Sequence, residues 1–191
     1  MTLMGKSFLK RQVKNIYWSL YGRTIRKPGL PTPARSVLFV CKGNICRSPF
    51  AEKIAAKHSN LPDRFSFGSA GIRVEDPMPP TMEAILTAKR FGVDLQDHNS
   101  RRINYDLVES FDLITAMEAW QYQYLRKIFL EFREKILLLP LFEKDDGIFT
   151  GHYSTYNIKD PYGRNMDEYN ECFSRIENCI AGLIHHINLA N

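Results

Sequence analysis

A cysteine and an arginine, with five residues between them, lie between a predicted strand and a predicted helix. Residues 41–48 read Cys-Lys-Gly-Asn-Ile-Cys-Arg-Ser, after the apolar run 37–40 and before Pro49. Five intervening residues let the backbone curl around one tetrahedral anion, with N–H groups and a helix N-terminus pointing inward. We therefore expect this loop to bind a phosphate.

The same loop would place a nucleophile opposite its electrophile. The positive end of the helix favours the thiolate form of Cys41, and the Arg47 guanidinium can donate to two phosphate oxygens. We expect Gly43 to permit the bend. The alternative interpretation is an inert buried cysteine beside a solvated arginine. However, a cation at the positive end of a helix is favourable when an anion binds there, so the pattern predicts attack on phosphorus.

Residues 41–48 resemble the signature loop of the low-molecular-weight protein tyrosine phosphatases, and the resemblance extends over about residues 36–187. Further matching segments lie at 68–71, 98–101, 112–118 and 160–163. The resemblance implies catalytic roles for Cys41, Arg47 and Asp160, with Ser69 and His98 in a hydrogen-bond network behind the loop. It also implies substrate-binding residues, which are Lys42, Gly43, Asn44, Ile45, Cys46, Ser48 and Tyr162.

Asp160 is the candidate general acid. A phosphate ester with a poor leaving group needs a proton as its bond to phosphorus breaks, and the same carboxylate can then activate water. Pro161 disfavours a helical conformation at Asp160 and keeps it on an extended loop. The alternative is a simple turn aspartate, and Asp145 and Asp146 are rival acids that lack the Asp-Pro-Tyr-Gly context.

The resemblance implies hydrolysis of phosphotyrosine in proteins through a phosphocysteine intermediate, with no metal and no cofactor. There are three alternatives. An arsenate reductase of this fold would need further cysteines, and none occurs between Cys46 and Cys172. Protein-arginine phosphatases usually carry threonine where this chain has Ile45. A non-catalytic phosphoprotein-binding module would be expected to lose Cys41 or Asp160. In addition, residues 72–80 contain no aromatic residue, whereas many family members have one on that wall of the cleft.

Short apolar segments alternate with helical patterns along the chain. Strands are predicted near 36–40, 65–69, 112–116 and 135–139, and helices near 49–59, 80–91, 103–110, 118–132 and 166–188. This alternation predicts an α/β fold with a parallel sheet covered by helices on both faces. The family resemblance implies four strands in the order 2-1-3-4. The phosphate-binding loop follows the first strand, at the sheet edge where such folds bind ligands.

A basic extension precedes the predicted domain. Residues 1–34 carry seven Lys or Arg and no acid, so the remaining chain has 19 basic and 21 acidic residues. The Pro-rich segment 28–33 separates this extension from a phosphatase domain at 35–191. Helical spacing of apolar residues within the extension predicts a basic amphipathic helix that contacts an anionic membrane or a partner protein. The alternative is a mobile tail or a helix that packs on its own domain. Its apolar residues are Leu9, Val13, Ile16, Tyr17 and Leu20.

Composition excludes several protein classes. The chain has 191 residues, 44% of them hydrophobic, which suits a single core. No apolar run approaches the roughly 20 residues that span a bilayer, and no nucleic-acid-binding motif is present. Four cysteines do not form a disulfide scaffold, and a reactive thiolate favours a reducing compartment. We therefore expect a cytoplasmic protein, and the family resemblance implies that its partner is a tyrosine-phosphorylated protein substrate.

Overall fold

The computed structural model describes Val13, Leu20 and residues 29–30, 32–59, 65–143 and 152–190. Of the predicted amphipathic helix, only Val13 and Leu20 are described, and both are helical and exposed. The rest of that prediction lies outside the described residues. Leu30 and Ala34 pack against the hydrophobic core, so the chain already belongs to the folded body before the first strand begins.

Four strands and five α-helices, all in the described part of the chain, alternate along it. They are β1 (Ser36–Cys41), α1 (Arg47–His58), β2 (Ser66–Gly71), α2 (Met82–Arg90), α3 (Tyr105–Ser110), β3 (Leu113–Ala116), α4 (Ala119–Ile128), β4 (Ile136–Leu138) and α5 (Met166–Ala190). Short 3-10 turns lie at Leu130–Lys135, Leu139–Phe142 and Tyr153–Tyr156.

The strands form one parallel sheet in the order β2-β1-β3-β4, which confirms the predicted topology. Every residue of β1, β3 and β4 is buried. Because successive side chains of a strand point to opposite faces, this burial requires cover on both faces of the sheet. The apolar runs of the sequence therefore become buried strands, and β2 and β3 hold the carboxyl end of β1 from both sides.

Helix packing holds the segment after β1. Helix α1 packs against α5, where the rings of Phe50 and Phe173 stack with their centroids 3.9 Å apart. Phe91, just after α2, packs edge-on against Phe50 at 5.2 Å. Offset and edge-on aromatic pairs stabilise beyond their buried area, by about 0.5–1.5 kcal/mol each. The helix that begins at the phosphate-binding loop is thus fixed against the core.

The predicted helix over 118–132 is wrong at its end. Helix α4 stops at Ile128, and a 3-10 turn occupies Leu130–Lys135. At Phe129 the backbone leaves the helical region with φ −108° and ψ 63°, while its N–H still donates to Leu125 O. The side chain of Phe129 is 8% exposed and packs on the core. Tertiary burial of this ring therefore ends the helix where the sequence has neither Gly nor Pro.

Candidate active site

The loop formed by residues 42–46 joins the carboxyl end of β1 to α1 and lies against the end of β2. The N–H of Ile72 donates to Cys41 O at 3.0 Å, and the N–H of Arg73 donates to Lys42 O at 2.8 Å. A Cβ added at Gly71 would lie 2.6 Å from Val74 Cγ2 and 3.0 Å from Asn44 N. Only glycine at this position permits so close an approach of the loop to β2.

Cys41 lies at the bottom of the loop and is 2% exposed. Its Sγ accepts a hydrogen bond from the N–H of Asn44 at 3.2 Å and lies 3.1 Å from Ser48 Oγ. The Ser48 hydroxyl also lies 3.2 Å from Ala70 O, and Asn44 Nδ2 donates to its oxygen at 2.9 Å. Since Ser48 has a single hydrogen to donate, it can turn from the carbonyl to the sulfur when Cys41 is a thiolate.

The strained residue of the loop is Asn44, not Gly43. Asn44 has φ 55°, whereas no left-handed φ occurs at Gly43, and a Cβ at Gly43 would meet only Ile45 at ordinary contact distance. The expectation that Gly43 permits the bend is therefore wrong. Asparagine tolerates the left-handed region better than most residues because its short polar side chain can form local hydrogen bonds.

A buried hydrogen-bond network holds Asn44 in this conformation. Its Nδ2 donates to Ser69 Oγ at 3.0 Å, and its Oδ1 accepts from the N–H of Arg101 at 2.9 Å. Ser69 in turn donates to Glu52 Oε2 at 2.6 Å. His98 Nε2 lies 2.8 Å from Asn44 O. Burial lowers the pKa of His98, so the neutral ring donates through Nε2–H. Ser69 and His98 therefore lie behind the loop.

Arg47 begins α1 and is 1% exposed. Its Nη1 donates to Glu118 Oε1 at 2.7 Å and to Ile158 O at 3.1 Å, and its Nη2 lies 2.6 Å from Asp160 Oδ2. Burial acts to lower the pKa of Arg47, but the negative charges at Cys41, Asp160 and Glu118 outweigh it and raise the pKa. The guanidinium is therefore a permanent cation with a fixed orientation.

Asp160 reaches the loop because its segment is attached to the end of β3. The side chain of Asn157 accepts from the N–H of Ala119 at 3.0 Å, and the N–H of Ile158 donates to Met117 O at 2.9 Å. Asp160 is about one-third exposed at its side chain, and its Oδ1 accepts from the N–H of Tyr162 at 3.3 Å. The carboxylate thus faces both Arg47 and the open side of the pocket.

Cys46, the second cysteine of the loop, has a different environment. Burial raises the pKa of its thiol to about 11, and hydrogen bonds with Tyr169 and Thr81 lower it only in part. Its Sγ lies 3.5 Å from Tyr169 Oη and 3.7 Å from Thr81 Oγ1. Cys46 therefore stays a neutral thiol near pH 7, which leaves Cys41 as the candidate nucleophile.

The side chains and backbone around the loop enclose one pocket. The predicted site residues that line it are Cys41, Lys42, Gly43, Ile45, Cys46, Arg47, Asp160 and Tyr162. Asn44 and Ser48 do not line the pocket, because both are completely buried behind the loop. Tyr162 forms an exposed part of the wall. The rival acids Asp145 and Asp146 lie outside the described residues.

The sequence interpretation missed two residues. Arg73 also lines the pocket, and Glu118 accepts a hydrogen bond from Arg47 Nη1. Glu118 ends the segment 112–118, which resembles the family, and this match could have identified it. Arg73 follows β2 by two residues, and only its position beside the loop distinguishes it from other surface arginines.

The described part of the loop contains hydrogen-bond donors without a partner. Among the described residues, the backbone N–H groups of Gly43, Ile45 and Cys46 have no protein acceptor, and neither does the buried Arg47 Nε. No acidic residue occupies the first turn of α1. Buried donors without partners are costly, and a helix N-terminus attracts anions. This set of donors fits a tetrahedral oxyanion placed against Cys41 Sγ.

Comparison with known proteins agrees with this geometry. Residues 36–190 match the family profile described as low molecular weight phosphotyrosine protein phosphatase. The chain is 30% identical over 153 residues to the low molecular weight protein-tyrosine-phosphatase Ptp of Acinetobacter johnsonii, covering 80% of this chain and 98% of that protein. A crystal structure of a low molecular weight protein tyrosine phosphatase from T. tengcongensis has a TM-score of 0.69 and 30% identity, covering 80% and 99% of the two chains. The YwlE arginine phosphatase from Geobacillus stearothermophilus has a TM-score of 0.70 at 24% identity, covering 81% and 94%, and so shares the fold.

Proposed function

The chain belongs to the low molecular weight phosphotyrosine protein phosphatase family, and from this premise we propose that it hydrolyses phosphotyrosine in proteins through a phosphocysteine intermediate on Cys41. The observation that carries this proposal is the buried Arg47, whose Nε has no partner among the described residues and which ends the loop that begins at Cys41. A guanidinium can donate to two phosphate oxygens at once, and it thereby stabilises the charge that develops on them.

In the first step, Cys41 Sγ attacks phosphorus and the bond to the tyrosine oxygen breaks. Arg47 and the N–H groups of the loop stabilise the equatorial oxygens, and Asp160 gives its proton to the leaving phenolate. The free tyrosine then departs. Asp160 is 2.6 Å from Arg47 Nη2, so the acid and the oxyanion donors are held in one constellation.

In the second step, the phosphocysteine is hydrolysed. The Asp160 carboxylate accepts a proton from a water molecule as the water oxygen attacks phosphorus, and Cys41 leaves as a thiolate. Ser48 Oγ lies 3.1 Å from Cys41 Sγ, so its hydroxyl can donate to the sulfur and stabilise this leaving group. Inorganic phosphate is released and the free enzyme is restored.

The geometry disfavours a reductase that passes electrons between thiols. The two remaining cysteines, Cys172 and Cys179, are both buried on α5. Burial raises the pKa of both thiols. Since the thiolate is the reactive form, neither thiol is suited to attack a sulfur of the loop and form a disulfide with it. A reactive thiolate at Cys41 is also the reason why we propose the cytoplasm as the location of this protein.

The proposed substrate is tested by measuring how fast purified protein hydrolyses three peptides of one sequence, which bear phosphotyrosine, phosphoserine or phosphoarginine. We expect hydrolysis of the phosphotyrosine peptide, because a long rigid side chain is needed to bring phosphorus to Cys41, which is 2% exposed. Phosphoserine is too short to reach it. A Cys41→Ser preparation controls for contaminating phosphatases. A higher kcat/KM for phosphoarginine would instead assign the chain to the arginine phosphatases, whose fold it shares.

We further propose that residues 1–34 bind an anionic membrane surface, because this segment carries seven cations and no acid. No helix among the described residues is long and apolar enough to cross a bilayer. Val13 and Leu20, two apolar residues of the predicted amphipathic helix, are 59% and 65% exposed. Each cation near an anionic surface adds ~1 kcal/mol of attraction.

Removal of residues 1–28, which spares Leu30 and Ala34 of the core, tests the extension. Full-length protein is expected to co-sediment with vesicles that contain anionic lipid and to be released by salt. The truncated protein should stay in solution while hydrolysing p-nitrophenyl phosphate at nearly the full rate, since the loop and Asp160 lie beyond the deletion. Equal sedimentation of both forms would show that the extension is not the membrane-binding segment.

A further inference from the structure

Arg73 forms the pocket wall at the place where the sequence departs from the family pattern. Its backbone N–H donates to Lys42 O at 2.8 Å, so the segment after β2 runs beside the phosphate-binding loop. Arg73 is exposed, whereas Cys41 at the bottom of the same pocket is 2% exposed. Arg73 therefore lies nearer the mouth of the pocket than the reacting atoms do.

The guanidinium of Arg73 rests on an aromatic ring. Its Cζ lies 5.7 Å from the ring centroid of Trp120, a half-buried residue in the first turn of α4. Trp120 does not itself line the pocket. Stacking on tryptophan attracts a guanidinium and restricts its motion. The arginine is thus oriented in advance, which reduces the entropy lost when it binds a ligand.

Charge at the mouth of the pocket is not balanced. Arg47 is paired with Glu118 and Asp160. By contrast, no described acidic residue forms an ion pair with Arg73 or with Lys42, which is also exposed on the pocket wall. Two free cations therefore stand where the part of a substrate beyond the phosphorylated ring must lie.

We infer that Arg73 is a specificity-determining residue, which with Lys42 binds an anionic group next to the phosphotyrosine of the substrate. This inference rests on the proposed function. The phosphate of phosphotyrosine itself is bound deeper, by Arg47 and the loop amides, so Arg73 is free to contact a neighbouring residue. A carboxylate of Asp or Glu and the phosphate of a second phosphorylated residue share the required chemistry, because both accept two hydrogen bonds from a guanidinium.

The test uses phosphotyrosine peptides that differ at one flanking position, which holds Glu, Gln, Lys or phosphoserine. Each is examined with the variable residue before and after the phosphotyrosine. For the wild type we expect kcat/KM to be about 3–10-fold higher for Glu than for Gln at low ionic strength on one side at least, as for charge pairs at a binding-site rim. The Lys peptide should be poorer than the Gln peptide. Because the pairs are exposed, about 0.5 M salt should reduce the preference.

Arg73→Gln is expected to lower the Glu-to-Gln ratio to near one. Arg90→Gln is the matched control, since it removes one positive charge from an exposed position at the end of α2, outside the pocket. It should keep the wild-type ratio. Trp120 is tested as a positioning residue: Trp120→Phe retains an aromatic face and should keep most of the preference, whereas Trp120→Leu should lose much of it.

The possible results separate the inference from the function on which it rests. Equal kcat/KM for the Glu, Gln and Lys peptides in the wild type, or an undiminished preference in Arg73→Gln, would overturn the inference and leave the phosphatase function intact. If the wild type hydrolysed none of the phosphotyrosine peptides, both the inference and the proposed function would be overturned. If Arg73→Gln lowers kcat/KM for the Glu peptides, the anionic ligand is a carboxylate. If it lowers kcat/KM for the phosphoserine peptides alone, the ligand is a second phosphate.

Discussion

Replacing Cys41 with serine is expected to reduce kcat for p-nitrophenyl phosphate by more than about 10⁴-fold, as for other enzymes that lose a covalent nucleophile. A serine hydroxyl can keep the contacts to Asn44 N–H and Ser48 Oγ that the sulfur makes. However, it is not ionised near pH 7, and neither of the described groups that hydrogen-bond Cys41 Sγ, the N–H of Asn44 and the hydroxyl of Ser48, is a base that could activate it. Chemistry is lost while the phosphate-binding loop remains.

Binding of inorganic phosphate, measured by titration calorimetry, separates this loss from a collapse of the loop. Phosphate affinity of Cys41→Ser should equal or exceed that of the wild type, because Arg47 and the loop amides are retained and the negative charge of the thiolate is removed. A thermal unfolding curve close to that of the wild type confirms that the variant is folded. Turnover above a few per cent of the wild-type rate would remove Cys41 from the role of nucleophile.

Asp160→Asn is expected to slow the hydrolysis of aryl phosphates with poor leaving groups by ~10²–10⁴-fold. An amide cannot give up a proton to the leaving phenolate. Activated phenols with low pKa leave without that proton, so their phosphates should lose much less. The measurement is a series of substituted phenyl phosphates, in which kcat/KM of the variant should fall steeply as the pKa of the phenol rises.

Asp160 also pairs with Arg47 Nη2 at 2.6 Å, so its loss removes an electrostatic partner as well as a proton donor. The dependence on leaving group separates these two effects, since a misplaced Arg47 would slow all substrates alike. Asp167→Asn is a matched control, because it removes one negative charge from an exposed position in the first turn of α5. A small and uniform effect of Asp160→Asn would exclude this residue as the general acid.

Much of the fold could be predicted because it depends on local patterns. The apolar runs became β1 to β4, each within one or two residues of its predicted position. The strand order, which the family resemblance implied and no local pattern gave, is the observed one. The helix predicted from residue 49 begins at Arg47 instead, so that Arg47 is part of its first turn. The break after Ile128 could not be predicted, since it depends on burial of the Phe129 ring in a core formed by distant segments.

The sequence by itself determined the phosphate-binding loop, because Cys41, Asn44, Arg47 and Ser48 fall within eight consecutive residues and their spacing alone sets how the backbone can curl. Only the tertiary structure decided what surrounds that loop. Glu118, Asp160 and Arg73 come from three separate segments, and they meet at Arg47 or the pocket wall because parallel strands end at one edge of the sheet. No local pattern carries the distance between residues so far apart in the chain. Tertiary contacts also decided that the strained residue of the loop is Asn44 and not Gly43. Hydrogen bonds with Ser69 and Arg101 hold Asn44 in a left-handed conformation that its own sequence context does not require.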